Sequence, residues 1–272
     1  MRQAVERALA IDAENVDALT AAAALAADRG EYAVSVATVQ RAIELHPSNA
    51  LAHLWFGQLL HLLGYTTAGT EHVAAALRLD PLAGSTNTVM AYSVSLTDNN
   101  EGLLQAAQQA EAMQARLAPK FLSLYEFRRG NIDGFAREIT RHHAVIGIDT
   151  AATPLLADAA RQRIGEADLV AQLKPYESKQ NIFFAREYAM LGMHRAAMDA
   201  LLRTPNSGGS FLSDMWLPEF RQVREQPEFA ILVNLLGYDE YWNANGPPDA
   251  CTLATPEAFC RSMSLASVDG DP

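Results

Sequence analysis

An all-α fold of antiparallel helix pairs stacked into a solenoid is predicted by three features of the 272-residue sequence. Small, apolar and proline positions recur every 34 residues over the first third of the chain. Hydrophobic residues make up 49% and aromatics only 8%, with alanine abundant, a composition that suits closely packed helices more than a sheet. Turn residues separate the apolar stretches at helix-length intervals, as at Asp28-Arg29-Gly30 and Asp98-Asn99-Asn100.

The register is clearest over residues 50–83. A first helix over about residues 50–62 carries Gly57 midway, where a missing side chain lets a second helix approach closely. Gly64 closes that helix. A second helix over about residues 67–79 sets Gly69 against Gly57 and turns the small Ala76 toward the next repeat. Pro81 ends it, because proline lacks a backbone donor and pushes Asp80 out of helical geometry. One period back, Gly30, Val39, Ala42, Ile43, Leu45 and Pro47 stand for Gly64, Val73, Ala76, Leu77, Leu79 and Pro81. A further period back lie Val5, Ala8, Leu9, Ile11 and Ala13.

This pattern resembles the tetratricopeptide repeat, whose period is about 34. The family's small residues at places eight and twenty match Gly57 and Gly69, and Ala23 and Ser35 in the repeat before. Its places 27 and 32 match Ala76 and Pro81, then Ala42 and Pro47. Leu19 or His53 stands where a large aromatic is usual at place four, and Val39 or Val73 where one is usual at place 24. The resemblance implies a right-handed superhelix with a concave wall formed by the first helix of each pair.

Taken in order, residues 2–12 read as a second-type helix with no first helix before it, leaving Val5, Leu9 and Ile11 without cover. Residues 16–49 and 50–83 are the best-matching repeats, and a third pair runs over about 85–117 with Ala115 in the proline's place. Pro119 opens a fourth pair, with helices over about 120–129 and 132–145 and a turn at Gly130-Asn131. A shorter pair covers about 155–173. The repeat resumes over about 179–203, with Ala185 at place eight, Gly192 at the turn and Ala197 at place twenty. The array is thus expected over residues 1–205, a helical cap over 206–251 after the flexible stretch 206–210, and a disordered tail over 252–272.

The closing stretch holds Trp216-Leu217-Pro218-Glu219-Phe220-Arg221, then Pro227-Glu228-Phe229, Leu235-Leu236-Gly237 and Tyr241-Trp242. It resembles the end of bacterial proteins in which such repeats follow a DNA-binding winged-helix or an adenylate-cyclase domain, although Ala250 replaces their usual aromatic before the cysteine. That likeness implies a regulatory or sensory C-terminal part of a signalling protein, its output domain lying upstream of Met1. The aromatics themselves are expected to form the core of the cap.

With 21 Lys+Arg against 32 Asp+Glu, the formal net charge is −11, which disfavours direct contact with nucleic acid or an anionic membrane. No apolar run of roughly 18 residues is present, so no membrane span is expected. Cys251 and Cys260 are too few for a disulfide framework, and a cytoplasmic location follows from that count.

The sequence has no phosphate loop, no paired histidines at metalloprotease spacing and no glycine-rich dinucleotide turn, so no enzyme, cofactor or metal is expected. His142 and His143 would point about 100° apart on a helix and are expected at solvated or core-edge positions, as are His53 and His61. Arg128, Arg129, Arg137 and Arg141 interleave with Glu126, Asp133 and Glu138, which suggests ion pairs within a wet helix face.

The remaining candidate is the concave wall. Family places two, five, nine and twelve fall on Asp17, Thr20, Leu51, Leu54, Gln58, His61, Ser85, Thr88, Tyr92 and Ser95. These give a neutral, partly apolar groove without Lys or Arg in its first three helices, unlike relatives that clamp chaperone C-terminal carboxylates. The expected function is a non-catalytic scaffold holding a peptide or protein segment in that groove. The alternative is the regulatory part described above. A homodimer through the uncovered first helix is a further expectation.

Overall fold

Helix after helix packs against its predecessor in chain order, and this sequential packing makes the chain an α-solenoid. The computed structural model describes residues 1–177, 182–203 and 212–263. A lone helix α1 (Arg2–Ile11) is followed by the pairs α2 (Val16–Ala27) with α3 (Tyr32–Leu45) and α4 (Ala50–Leu62) with α5 (Thr66–Leu79). Next come α6 (Gly84–Ser95) with α7 (Asn100–Ala112) and α8 (Ala118–Arg128) with α9 (Ile132–Ile146). The shorter α10 (Thr153–Ala160) and α11 (Glu166–Leu173) precede α12 (Ile182–Met190) and α13 (His194–Arg203).

Local chemistry sets these boundaries. Asn15, Asn49, Asn99 and Asn131 each stand before a helix, where Oδ1 accepts from the N–H of Ala18, Ala52, Gly102 and Gly134. Such caps satisfy donors that the helix itself leaves open. Within the second pair, a Cβ on Gly57 would lie 2.8 Å from the Gly69 carbonyl oxygen, and one on Gly69 would lie 2.9 Å from that of Gly57. In the first pair Ser35 makes the same close approach productive, its hydroxyl donating to the Ala23 carbonyl at 2.7 Å. Ala42 and Ala76 are fully buried at the joints between pairs.

Contacts of α2 with α4, α4 with α6 and α6 with α8 make one continuous inner wall. The expected flexible stretch 206–210 lies outside the described residues. From Ser213 onward, α14 (Arg221–Arg224), α15 (Pro227–Leu235) and α16 (Tyr238–Asn245) cover the last pair, with the Gln226 amide donating to the His194 carbonyl at 2.8 Å. The segment also does something the sequence did not suggest: it returns along the inner wall. The Trp216 indole donates to the Leu62 carbonyl at 3.0 Å and that of Trp242 to the Leu63 carbonyl at 2.9 Å. Asp249 accepts from the Thr66 hydroxyl at 2.9 Å and the Thr67 N–H at 2.7 Å. Gly64, at φ +84°, permits this seat, since a Cβ there would meet Pro248 at 2.8 Å and Trp216 at 2.9 Å.

The expectation of disorder beyond residue 251 fails for residues 252–263. Helix α17 (Ala258–Ser262) packs on α15, buries Phe259, and is tied back by a Cys251–Cys260 disulfide. Glu257 adds a paired contact to Arg224 at 2.6 and 2.9 Å. Aromatic burial supplies the driving force here, because Trp216, Phe229, Trp242 and Phe259 form one interlocked cluster with ring centroids 5.0 to 6.2 Å apart. Residues 264–272 lie outside the described residues. Among the described residues, no helix is long and apolar enough to cross a membrane.

Candidate functional site

The returning segment fills part of the inner wall and leaves a half-open groove of about 210 Å³ between α2, α4, α6 and α8. Four of the expected residues meet there: Gln58, His61, Thr88 and Tyr92. The others do not. Thr20 and Ser95 are buried, their hydroxyls donating to the carbonyls of Val16 at 2.8 Å and Tyr92 at 2.6 Å. Leu54 is packed away, Ser85 is exposed, and Asp17 lies on the surface beside Asn49, 3.4 Å from its amide. Leu51 is exposed one turn before Trp55.

Trp55, 41% exposed, is the residue that the repeat register missed. Its signal was present in the sequence, as a lone tryptophan one turn from both Leu51 and Gln58. Lys120 was also missed. Its ammonium group lies at the groove, 2.7 and 2.8 Å from the two oxygens of Asp214 and 5.8 Å from the Tyr92 ring centre. Burial holds its pKa below the ordinary lysine value although Asp214 pulls the other way. The Tyr92 hydroxyl donates to the Ser213 carbonyl at 2.6 Å, and burial, then Asp214, pushes its pKa well up.

His61 is fully buried, a correction to the expected solvated or edge position. Its Nε2 lies 3.3 Å from the Thr70 hydroxyl oxygen and 3.5 Å from that of Ser93. Both hydroxyls already donate elsewhere, Thr70 to the Thr66 carbonyl at 2.8 Å and Ser93 to the Val89 carbonyl at 2.9 Å. Nε2 is therefore the ring nitrogen placed to donate, and Nδ1, buried within the fold, has no hydrogen-bond partner among the described residues. Desolvation lowers the pKa of His61 to about 4, so the ring is neutral at pH 7.

His53 stands half-buried at the edge, as expected, whereas His142 and His143 do not. His53 and His72 stack with Nδ1 atoms 2.9 Å apart, and burial lowers the pKa of His72 with His53 adding to it. His142 and His143 lie in the core, where His143 Nε2 is 3.9 Å from Glu187 and Arg186 binds the same carboxylate at 2.5 Å. The arginine stretch divides: Arg141 joins Glu138 and Glu111, both at 2.6 Å, on a wet face. Arg128 instead turns inward to Glu219 at 2.7 Å and to the carbonyls of Ser95 and Thr97. The intrahelical pairing expected of Arg128 is thus replaced by a link to the returning segment.

No known protein family matches this chain. No curated protein matches it either. Among solved structures, one described as "Structure of Naa15/Naa10 bound to HypK-THB" is similar over 98% of this chain and 41% of its own, at 14% identity and a TM-score of 0.39. The chain thus spans less than half of that neighbour's length. The solenoid is read from this chain's own helix packing and not from that likeness.

Proposed function

We propose that the protein is a non-catalytic interaction scaffold that holds a peptide segment in the groove between α2, α4, α6 and α8. The observation that carries this reading is the groove's chemistry: a half-open, mainly apolar channel with an exposed Trp55 at its rim and, in its wall, a Gln58 amide that no described residue engages. Apolar surface flanked by free amide groups suits a chain that brings side chains and backbone polar groups together. The net charge of −11 supports a protein partner over a nucleic acid.

A panel of defined peptides, screened by intrinsic tryptophan fluorescence and then by calorimetry, tests this. Binding to the wild type that Gln58→Arg and Thr88→Trp weaken by at least about tenfold, with helicity unchanged, supports the groove. Binding that ignores both substitutions, or no binding across the panel, refutes it.

A second reading, a homodimer formed through α1, is favoured by Ile11, which is 89% exposed beside the half-buried Leu9. Light scattering of the full chain and of a chain lacking residues 1–13 decides: a dimer lost on shortening supports it, and a monomer in both refutes it.

A further inference from the structure

We infer that the segment held in the groove is basic, with an arginine or lysine whose cation meets Asp28. The inference rests on the peptide-binding reading above and adds the charge that the segment carries.

The first observation concerns the cations of the inner wall. Helices α2, α4 and α6 carry neither lysine nor arginine. The wall's two cations, Lys120 and Arg128, stand on α8. Acids of the returning segment cover both. Asp214 holds the Lys120 ammonium at 2.7 and 2.8 Å, and Glu219 holds the Arg128 guanidinium at 2.7 and 3.0 Å. None of the four side chains is more than 16% exposed. Cations closed off in this way leave an acidic guest without a counter-charge.

The second observation is the acid that the wall leaves open. Asp28 follows the last residue of α2, lines the groove and is exposed. Among the described residues none hydrogen-bonds or ion-pairs with its carboxylate, and the neighbouring Arg29 is turned to Glu31, at 2.9 and 2.5 Å. Lys120, the other charged residue along the groove, is already matched by Asp214. The groove thus offers a guest one unmatched charge, and it is negative.

Together these select the guest's side chain. The floor beside Asp28 is apolar, since Ala24 and Ala27 line the groove one turn and one residue ahead of it. Arginine and lysine combine a long apolar stem with a charged head, so the stem lies on that floor while the head reaches Asp28 at the open edge. Trp55, exposed on the same groove, gives a ring face that favours a cation over an anion. A glutamate in the same place would set like charges together, and an uncharged side chain would forgo the attraction.

The test titrates the full chain by calorimetry with three octapeptides, acetyl-(Ala-Leu-Ala-Xaa)2-amide, in which Xaa is arginine, citrulline or glutamate. Citrulline keeps the shape of arginine and lacks its charge. The arginine peptide should bind about fivefold more tightly than the citrulline peptide at low salt, and the glutamate peptide more weakly than either. The advantage of arginine should shrink as salt screens the exposed carboxylate. Asp28→Asn, at an exposed site outside the packed core, should bring the arginine and citrulline peptides to equal affinity. Asp28→Lys should make the glutamate peptide the tightest of the three.

Equal affinities of the arginine and citrulline peptides for the wild type overturn the inference. So does an arginine preference that Asp28→Asn leaves intact, which would assign it to the general field of a chain with net charge −11. The peptide panel separates the two levels. Peptides that bind in the groove without a lysine or arginine sink the inference and leave the scaffold standing. Absence of binding by all three octapeptides and across the panel refutes the scaffold and the inference with it.

Discussion

Replacing Asp214 with asparagine should destabilise the protein by about 3 kcal/mol, near the lower end of the range for breaking a buried ion pair. The side chains of Lys120 and Asp214 are 16% and 11% exposed, and the ammonium is held by both carboxylate oxygens at 2.7 and 2.8 Å. The substituted amide would keep one acceptor near Nζ but leave the positive charge uncompensated. Burial already holds the Lys120 pKa down against the pull of Asp214, and removing that pull lowers it further. A lysine with a depressed folded pKa makes stability rise with pH, so the penalty should be largest at neutral and acid pH and shrink as the ammonium deprotonates. Urea unfolding of the wild type, Asp214→Leu, Lys120→Met and the Lys120→Met/Asp214→Leu pair closes a double-mutant cycle, with Asp214→Asn measured beside it. The pair should recover to within about 1 kcal/mol of the wild type, because two apolar groups replace two charges. A loss under about 1 kcal/mol for Asp214→Asn with additive effects would mean that the charges are wet, and would unseat the returning segment from the inner wall.

His61 gives a second pH signature. Its folded pKa, about 4 against an ordinary 6.5, favours the neutral ring, so its contribution is complete above pH 6.5 and is lost as pH falls through about 4. That amounts to about 3 kcal/mol between the two limits. The fall in unfolding free energy between pH 7 and pH 4 should be smaller by that amount in His61→Gln, and an equal fall in both proteins would refute the assignment. Reduction of Cys251–Cys260, or their joint replacement by serine, should lower stability by roughly 2 to 3 kcal/mol. Hydrogen exchange should show the loss first in α17, and an unaltered α17 in the reduced protein would argue against a fastening role.

The helices were legible because their punctuation is local. Asparagine caps, turn glycines and the prolines at 47 and 81 each act within a few residues, so the ends of α2 to α9 fall close to where the residue pattern puts them. The groove was half legible for the same reason: Gln58, His61, Thr88 and Tyr92 follow from register alone. Thr20 and Ser95 were misread because a small hydroxyl side chain can bond a backbone carbonyl nearby and then pack inward, an option that a wheel of positions does not reveal. What escaped entirely was long range. Lys120 and Asp214 are 94 residues apart, and Arg128 and Glu219 are 91 apart, so neither pair leaves a periodic trace. Trp216 looked like cap core and is core, yet nothing in its neighbours said that its indole would reach Leu62, 154 residues earlier.

An open stack of repeats can lengthen or shorten by whole units, since each touches only the next. The bonds from Asp249 to Thr66 and from Trp242 to Leu63, across 183 and 179 residues, remove that freedom. They act like the clasp of a bracelet: one link added or taken out between α5 and α13, and the two halves no longer meet. The number of helices between those anchors is therefore fixed by a distance in space. Evolution of this chain is confined to changes that keep that span, and its unfolding should resemble the opening of a ring more than the fraying of a rope.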